Sequence, residues 1–110
     1  MGVGQALGEV ITYDAGSGQL LIGSFMDYQM PRADDIPPVH LETRAVPTAV
    51  NPLGVKGVGE AGTVGSLVAT INAICDALSP LGIRHIEMPA TPARVWAAIQ
   101  VATRANPGQP

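Results

Sequence analysis

The chain has 110 residues, is 46% hydrophobic and only 14% charged, and carries a net charge of −3. That length suits one modest domain, and the balance argues against disorder and against a basic nucleic-acid surface. The single cysteine, Cys75, excludes an internal disulfide and a zinc cluster of cysteines, and no run of about 18 apolar residues marks a membrane span. With aromatics at 4%, a core must be built from Val, Ile, Leu, Ala and Met, and 13 glycines and 10 prolines make much of the chain loop. The scarcity of charge implies that part of the surface is covered by something else. The N-terminus lacks the charged and apolar regions of a signal peptide, so the expectation is a soluble, reduced, cytoplasmic chain.

Taken in order, residues 2–11 read as a short amphipathic helix, the stump of a longer one, with Val3, Leu7, Val10 and Ile11 on one face. A turn at 15–18 leads to a strand candidate at 19–30, interrupted by Gly23 and ended by Pro31. After a proline-bounded loop, 39–46 alternates apolar and polar residues and is the cleanest strand. Residues 66–78 form the best helix, with Ser66 or Thr63 as N-cap and a stripe of Leu67, Ile71, Ile74 and Leu78, and Ser79-Pro80 stops it. A third strand candidate spans 83–88. A second helix at 91–103 has Thr91 as N-cap and Pro92 at its first position. Val95, Trp96, Ile99 and Ala102 are its buried stripe, and residues 104–110 are a tail. The order predicts an α+β fold of short strands with two C-terminal helices.

The stretch 51–65, NPLGVKGVGEAGTVG, places five glycines around one acid, Glu60. Three readings fit. Gly57, Gly59 and Gly62 match the dinucleotide-binding pattern, but no strand precedes them and Asp76 falls inside a helix. A plain glycine turn capping a helix is the second, with Glu60 a solvated acid favoured by the helix dipole. In the third, backbone N–H groups at the loop-to-helix junction cradle an anionic cofactor, and Glu60 serves as a general base. Spacing alone does not choose between the last two.

Residues 56–78, KGVGEAGTVGSLVATINAICDAL, resemble the C-terminal part of the molybdenum-binding large subunit of the xanthine dehydrogenase, aldehyde oxidase and aerobic carbon monoxide dehydrogenase family. Residues 2–38 are similar to the segment just upstream, with its Tyr-Asp turn, Ser-Phe-Met-Asp-Tyr strand and Met-Pro loop. IEMPATPARVWAAI resembles the family's closing helix, so the likeness covers residues 2–99 in the expected order. It implies that 1–104 is a partial second molybdopterin-binding domain, followed by the tail 105–110. It also implies that Glu60 is the catalytic base and that Lys56, Gly57, Val58 and Gly59 lie against the molybdopterin. The implied activity is oxidative hydroxylation of an aldehyde or N-heterocycle, or carbon monoxide oxidation, with water as oxygen source. The implied cofactor is molybdopterin, in its cytosine dinucleotide form, with molybdenum. The implied partners are the rest of the large subunit and [2Fe–2S] and FAD subunits or domains.

The family's large subunit is several times longer, so the chain alone is expected to be inactive and to form a homo-oligomer through its apolar surface, with binding of the cofactor by this piece alone left open. The alternative is a non-catalytic α+β interaction module in which Glu60 is idle. No protein metal ligands are expected. His40 and His85 lack a second ligand at metal spacing, Asp34-Asp35 suit a turn, and Met26, Met30 and Met88 are expected to pack. Cys75 is expected to be a small buried residue.

Overall fold

The computed structural model of the chain describes residues 1–105. Three helices organise it: α1, Gly2–Leu7; α2, Ala61–Leu78; and α3, Pro92–Ala105. Short 3-10 turns lie at Ala33–Asp35 and Ser79–Leu81. Of the expected tail, Arg104 and Ala105 complete α3, and 106–110 fall outside the described residues.

α1 lies against the N-terminal half of α2, and residue 2 sets the approach. A Cβ at Gly2 would fall 2.1 Å from Ser66 Oγ and 2.4 Å from the Thr63 carbonyl oxygen, so only glycine fits. One step along, a Cβ at Gly4 would meet the Pro31 ring at 2.1 Å. Gly2 thus admits α2 on one side of α1, and Gly4 admits the 29–31 segment on the opposite side. Ala6, fully buried, accepts a hydrogen bond from the Ala90 N–H at 2.7 Å. Ile86 and Ala90 are the other buried apolar residues, so the core sits where α1 meets segment 86–90.

The expected stripe of α2 holds in direction but not in depth. Leu67, Ile71, Ile74 and Leu78 are half-buried, while Val64 and Val68 on the other face are exposed. Cys75 is half-buried and free. As expected, the α-helix stops at Leu78 where Ser79-Pro80 follows. A 3-10 turn, Ser79–Leu81, continues the path, since a proline fits its first turn, and Gly82, with φ of 77°, closes it. In α3 the expected cap is present: Thr91 Oγ1 accepts the Arg94 N–H at 3.3 Å. The Arg94 guanidinium folds back onto the carbonyls of Met88 and Pro89 at 2.9 and 3.2 Å. Val95, Ile99 and Ala102 are half-buried, but Trp96 is exposed.

The strand half of the expected α+β arrangement is not seen among the described residues. Their only β pairing is one antiparallel bridge, Tyr13 to Leu20. It closes a turn organised by Asp14, which accepts from Ser17 Oγ at 2.6 Å, Ser17 N at 2.7 Å and Gly16 N at 3.2 Å. These bonds, the Ser17 hydroxyl first, hold the Asp14 carboxyl below the usual carboxylate range. Beyond Leu20 the chain coils, with Tyr28 N–H donating to Ser24 O at 2.9 Å. Segment 39–46 runs without a bridge, and Leu41 is 84% exposed. The alternation of 39–46 is a pattern for one covered face, but a strand forms only when another strand accepts its backbone groups. The methionines expected to pack do not: Met26 is 93% exposed, and Met30 and Met88 are also exposed.

The shape follows from this shortage of partners. The radius of gyration is 19.0 Å, against about 13 Å for a compact chain of this length. The accessible surface is 8970 Å², where a compact protein of this mass exposes about 5,700 Å². Residues Ala61–Leu81 form a helical run long and apolar enough by length and composition to cross a membrane, with a mean hydropathy of 1.4. The sequence criterion of an unbroken apolar run missed it, because Ser66, Thr70, Asn72 and Asp76 interrupt it. A helix apolar on most sides equally suits a protein interior.

Two outcomes test this fold. Gly2→Val is expected to push α1 off α2 at a cost of about 1–3 kcal/mol, read as faster hydrogen exchange of the Ala90 amide. The Tyr28 hydroxyl donates to the half-buried Glu9 carboxylate, tying segment 24–31 to the end of α1. That bond, then burial and the Glu9 charge, raise the Tyr28 phenol above its ordinary value of 10.0. The tie is therefore intact below that pH and is expected to be lost as pH rises through the raised value. Alkaline titration of the Gln29 and Gly8 amide shifts reads it, and Tyr28→Phe is expected to abolish the transition.

Candidate functional site

Residues 47–55 fold back on themselves before the glycine stretch begins. Gly54 adopts φ of 65°, its N–H bonds to Asn51 O, and its carbonyl accepts from Thr48 N–H, both at 3.1 Å. The chain then runs from Val55 through Lys56, Gly57, Val58, Gly59 and Glu60 into α2.

α2 starts at Ala61, five residues before the expected Ser66. Neither Thr63 nor Ser66 caps it, and the Ser66 hydroxyl instead donates to Thr63 O at 3.1 Å. Glycine disfavours a helix by about 1 kcal/mol relative to alanine, which is why Gly62 and Gly65 suggested a later start. Once nucleated, a helix of 18 residues tolerates both.

The earlier start changes the place of Glu60. It occupies the N-cap position, with φ of −102° and ψ of −9°, and its carbonyl accepts the Val64 N–H at 3.0 Å. Its side chain makes no cap bond to the helix. The carboxylate is exposed, sits at the positive end of the α2 dipole, and is uncommitted to the fold.

The glycines around it are equally uncommitted. A Cβ built at Gly57, Gly59, Gly62 or Gly65 would meet nothing within 4 Å. None of the four has positive φ; among the described residues that belongs to Gly18, Gly54 and Gly82. Neither steric contact nor backbone conformation within this chain requires glycine at those positions. The open backbone beside an uncapped carboxylate is a surface that another body can approach to van der Waals distance.

The structure therefore keeps Lys56, Gly57, Val58, Gly59 and Glu60 in one exposed stretch at the head of α2. It adds a neighbour that sequence reading missed. Arg44 and Lys56 line one shallow groove of about 350 Å³ with Val46, Pro47, Gly54 and Val58. No spacing rule joins residues 44 and 56 across an irregular loop. Among the described residues no group of three His, Cys, Asp or Glu could hold a metal ion. His40 Nε2 lies 2.7 Å from Glu42 in an exposed pair on one side of an extended segment.

Residues 1–37 match the molybdopterin cofactor-binding domain family. The chain is 43% identical over 94 residues to the nicotine 6-hydroxylase large subunit of Paenarthrobacter nicotinovorans, covering 86% of this chain and 11% of that one. It is 35% identical over 99 residues to the carbon monoxide dehydrogenase large chain of Hydrogenophaga pseudoflava, covering 90% and 12%. The crystal structure of quinoline 2-oxidoreductase from Pseudomonas putida 86 superposes with a TM-score of 0.76 at 34% identity, over 90% of this chain and 13% of that one. The chain is thus a piece of a molybdopterin-binding large subunit. More narrowly, the chain belongs to the large-subunit family of xanthine dehydrogenase, aldehyde oxidase and carbon monoxide dehydrogenase. It spans only 11–13% of the length of these relatives.

Because Gly57 and Gly59 face open space, Gly57→Ala and Gly59→Ala are expected to leave the chain's own stability within about 0.5 kcal/mol of the parent. Denaturant titration followed by circular dichroism checks this.

Proposed function

We propose that this chain is the segment of a molybdenum hydroxylase large subunit that carries the catalytic base, Glu60, and part of the cofactor seat, within a partial cofactor-binding domain spanning residues 1–104. The observation that carries the reading is the pairing of an uncapped, exposed carboxylate with glycines that nothing in the chain itself requires. The fit to molybdopterin rests on that open backbone: a Cβ at Gly57 or Gly59 would occupy space that the chain leaves clear. The residues that would hold the group are Lys56, Gly57, Val58 and Gly59, and the cytosine dinucleotide form is the one proposed. When bound, the cofactor supplies a molybdenum centre that accepts two electrons from the substrate.

The reaction proposed is oxidative hydroxylation: a C–H carbon and water give a C–OH, two protons and two electrons. The relatives named for nicotine and quinoline support an N-heterocycle as substrate. An aldehyde fits the same equation; carbon monoxide, as for the second relative, has no C–H bond and would instead combine with water to give carbon dioxide, two protons and two electrons. Glu60 takes up a proton through a carboxylate oxygen as the water-derived oxygen is committed to the substrate. Its freedom from capping leaves both carboxylate oxygens available. Electrons leave through [2Fe–2S] and FAD subunits or domains, in a cytoplasmic assembly. By itself the chain is proposed to be inactive, since its surface exceeds that of a compact protein of its mass and, among the described residues, only Ala6, Ile86 and Ala90 are buried apolar side chains.

The same uncovered surface supports a second reading, a non-catalytic module that oligomerises and leaves Glu60 idle. Metal and pterin analysis separates the two, on the chain alone and co-expressed with the remaining large-subunit segments and partner subunits. The enzyme reading expects molybdenum only on co-expression, with Glu60→Gln lowering kcat by about 10²–10⁴-fold at unchanged molybdenum content. A folded oligomer without molybdenum in either case overturns it in favour of the second.

A further inference from the structure

We propose that Asn51 is a positioning residue for the 56–60 stretch, a role that rests on the reading of Glu60 as base. The argument begins with what holds that stretch. Among the described residues, no hydrogen bond outside the helices reaches Lys56, Gly57 or Gly59. The stretch is a bridge between two anchors. At its C-terminal end the anchor is α2, through Ala61 N–H to Val58 O at 3.3 Å and Val64 N–H to Glu60 O at 3.0 Å. At its N-terminal end the anchor is the side chain of Asn51.

That one amide grips Val55 on both sides. Asn51 Nδ2 donates to Val55 O at 2.8 Å, and Asn51 Oδ1 accepts from Val55 N–H at 3.3 Å. The same oxygen accepts from Leu53 N–H at 3.1 Å. An amide side chain matches a peptide group in donor and acceptor, so Asn51 pairs with Val55 as a neighbouring strand would. In a segment that lacks a strand partner, this is the substitute. Gly54 completes the device, since the left-handed turn that brings Val55 back to Asn51 excludes most side chains. A Cβ there would also press on Pro47 at 3.2 Å.

Release of the Asn51 side chain would leave Val55 held only through Gly54, whose backbone bonds to Thr48 and Asn51 persist, and would free 56–60 to move about α2. A displacement of about 1 Å in a catalytic group can lower a rate by 10²-fold, so the effect should appear in turnover rather than in substrate affinity. Neither alanine nor serine at 51 can grip both groups of Val55. Aspartate keeps the acceptor for Leu53 and Val55 N–H, but its second oxygen stands where the donor was and turns away from Val55 O.

The test has two readouts. In the full chain, Asn51→Ala is expected to speed hydrogen exchange of the Leu53 and Val55 amides by tenfold or more and leave the α2 amides unchanged, while Asn51→Asp retains most of the protection. In the assembled enzyme, Asn51→Ala is expected to lower kcat by about 10–100-fold with KM within twofold and molybdenum content unchanged. Equal exchange at Leu53 and Val55 in parent and variant overturns the proposal, as does a loss of activity that only tracks loss of molybdenum. Glu60→Gln is the separate control: full activity in that variant sinks the base assignment, while the exchange result still judges the Asn51 anchor.

Discussion

The close contact of α1 with α2 at Gly2 is the constraint on which the described structure depends. Helices usually meet through interdigitating side chains, with axes 8–10 Å apart. Here residue 2 has no side chain, and Ser66 and the Thr63 carbonyl stand where one would be. The contact fixes α1, and α1 fixes the rest. Through Gly4 it receives Pro31, through Glu9 it receives Tyr28, and through the Ala6 carbonyl it receives Ala90. Three distant parts of the chain are joined by a helix of six residues. Backbone proximity and a few hydrogen bonds do the work that a large apolar core does elsewhere.

That economy leaves most of the apolar surface uncovered. An open apolar groove of about 690 Å³ runs between α1, the end of α2 and the start of α3, with Trp96 on its wall. Phe25 and Leu41 stand in solvent. Relatives of which this chain spans about one eighth show the scale of what such surfaces can meet. A face of Val, Leu and Ile is stabilising only when it is removed from water, and nothing within the described residues removes these.

What was legible in the sequence divides along the same line. Features decided by neighbours in the chain were readable: the α3 cap at Thr91, the apolar side of α2, the turn at Asp14 to Gly18. Features that need a distant partner were not. The alternation of 39–46 specifies which side chains share a face, but a strand is made by its partner, and Leu41 stands exposed without one. The start of α2 was misplaced because single-residue propensities penalise Gly62 and Gly65, whereas an 18-residue helix is decided by cooperative propagation. The family was legible through several motifs in order. The grip of Asn51 on Val55 had only a weak signal, the Asn-Pro step followed by Gly54, which marks a turn but not what it holds.

The misplaced helix start bears directly on chemistry. Had α2 begun at Ser66, Glu60 would lie in a free loop six residues upstream, with no fixed direction. Beginning at Ala61, the helix takes Glu60 as its boundary residue and orders its backbone from one side. Ser, Thr, Asn or Asp at that boundary turns its side chain inward to satisfy the first-turn N–H groups. Glu60 is none of these and makes no such bond, so the helix forgoes a stabilising cap there. Gly57 and Gly59 add a second local cost, since glycine loses the most conformational freedom on ordering and gains nothing here from fit or φ. Natural sequences depart from local consistency mainly where function requires it. Two such departures on adjacent residues, one freeing a carboxylate and the other clearing the backbone beside it, are what a proton acceptor next to a closely seated cofactor needs.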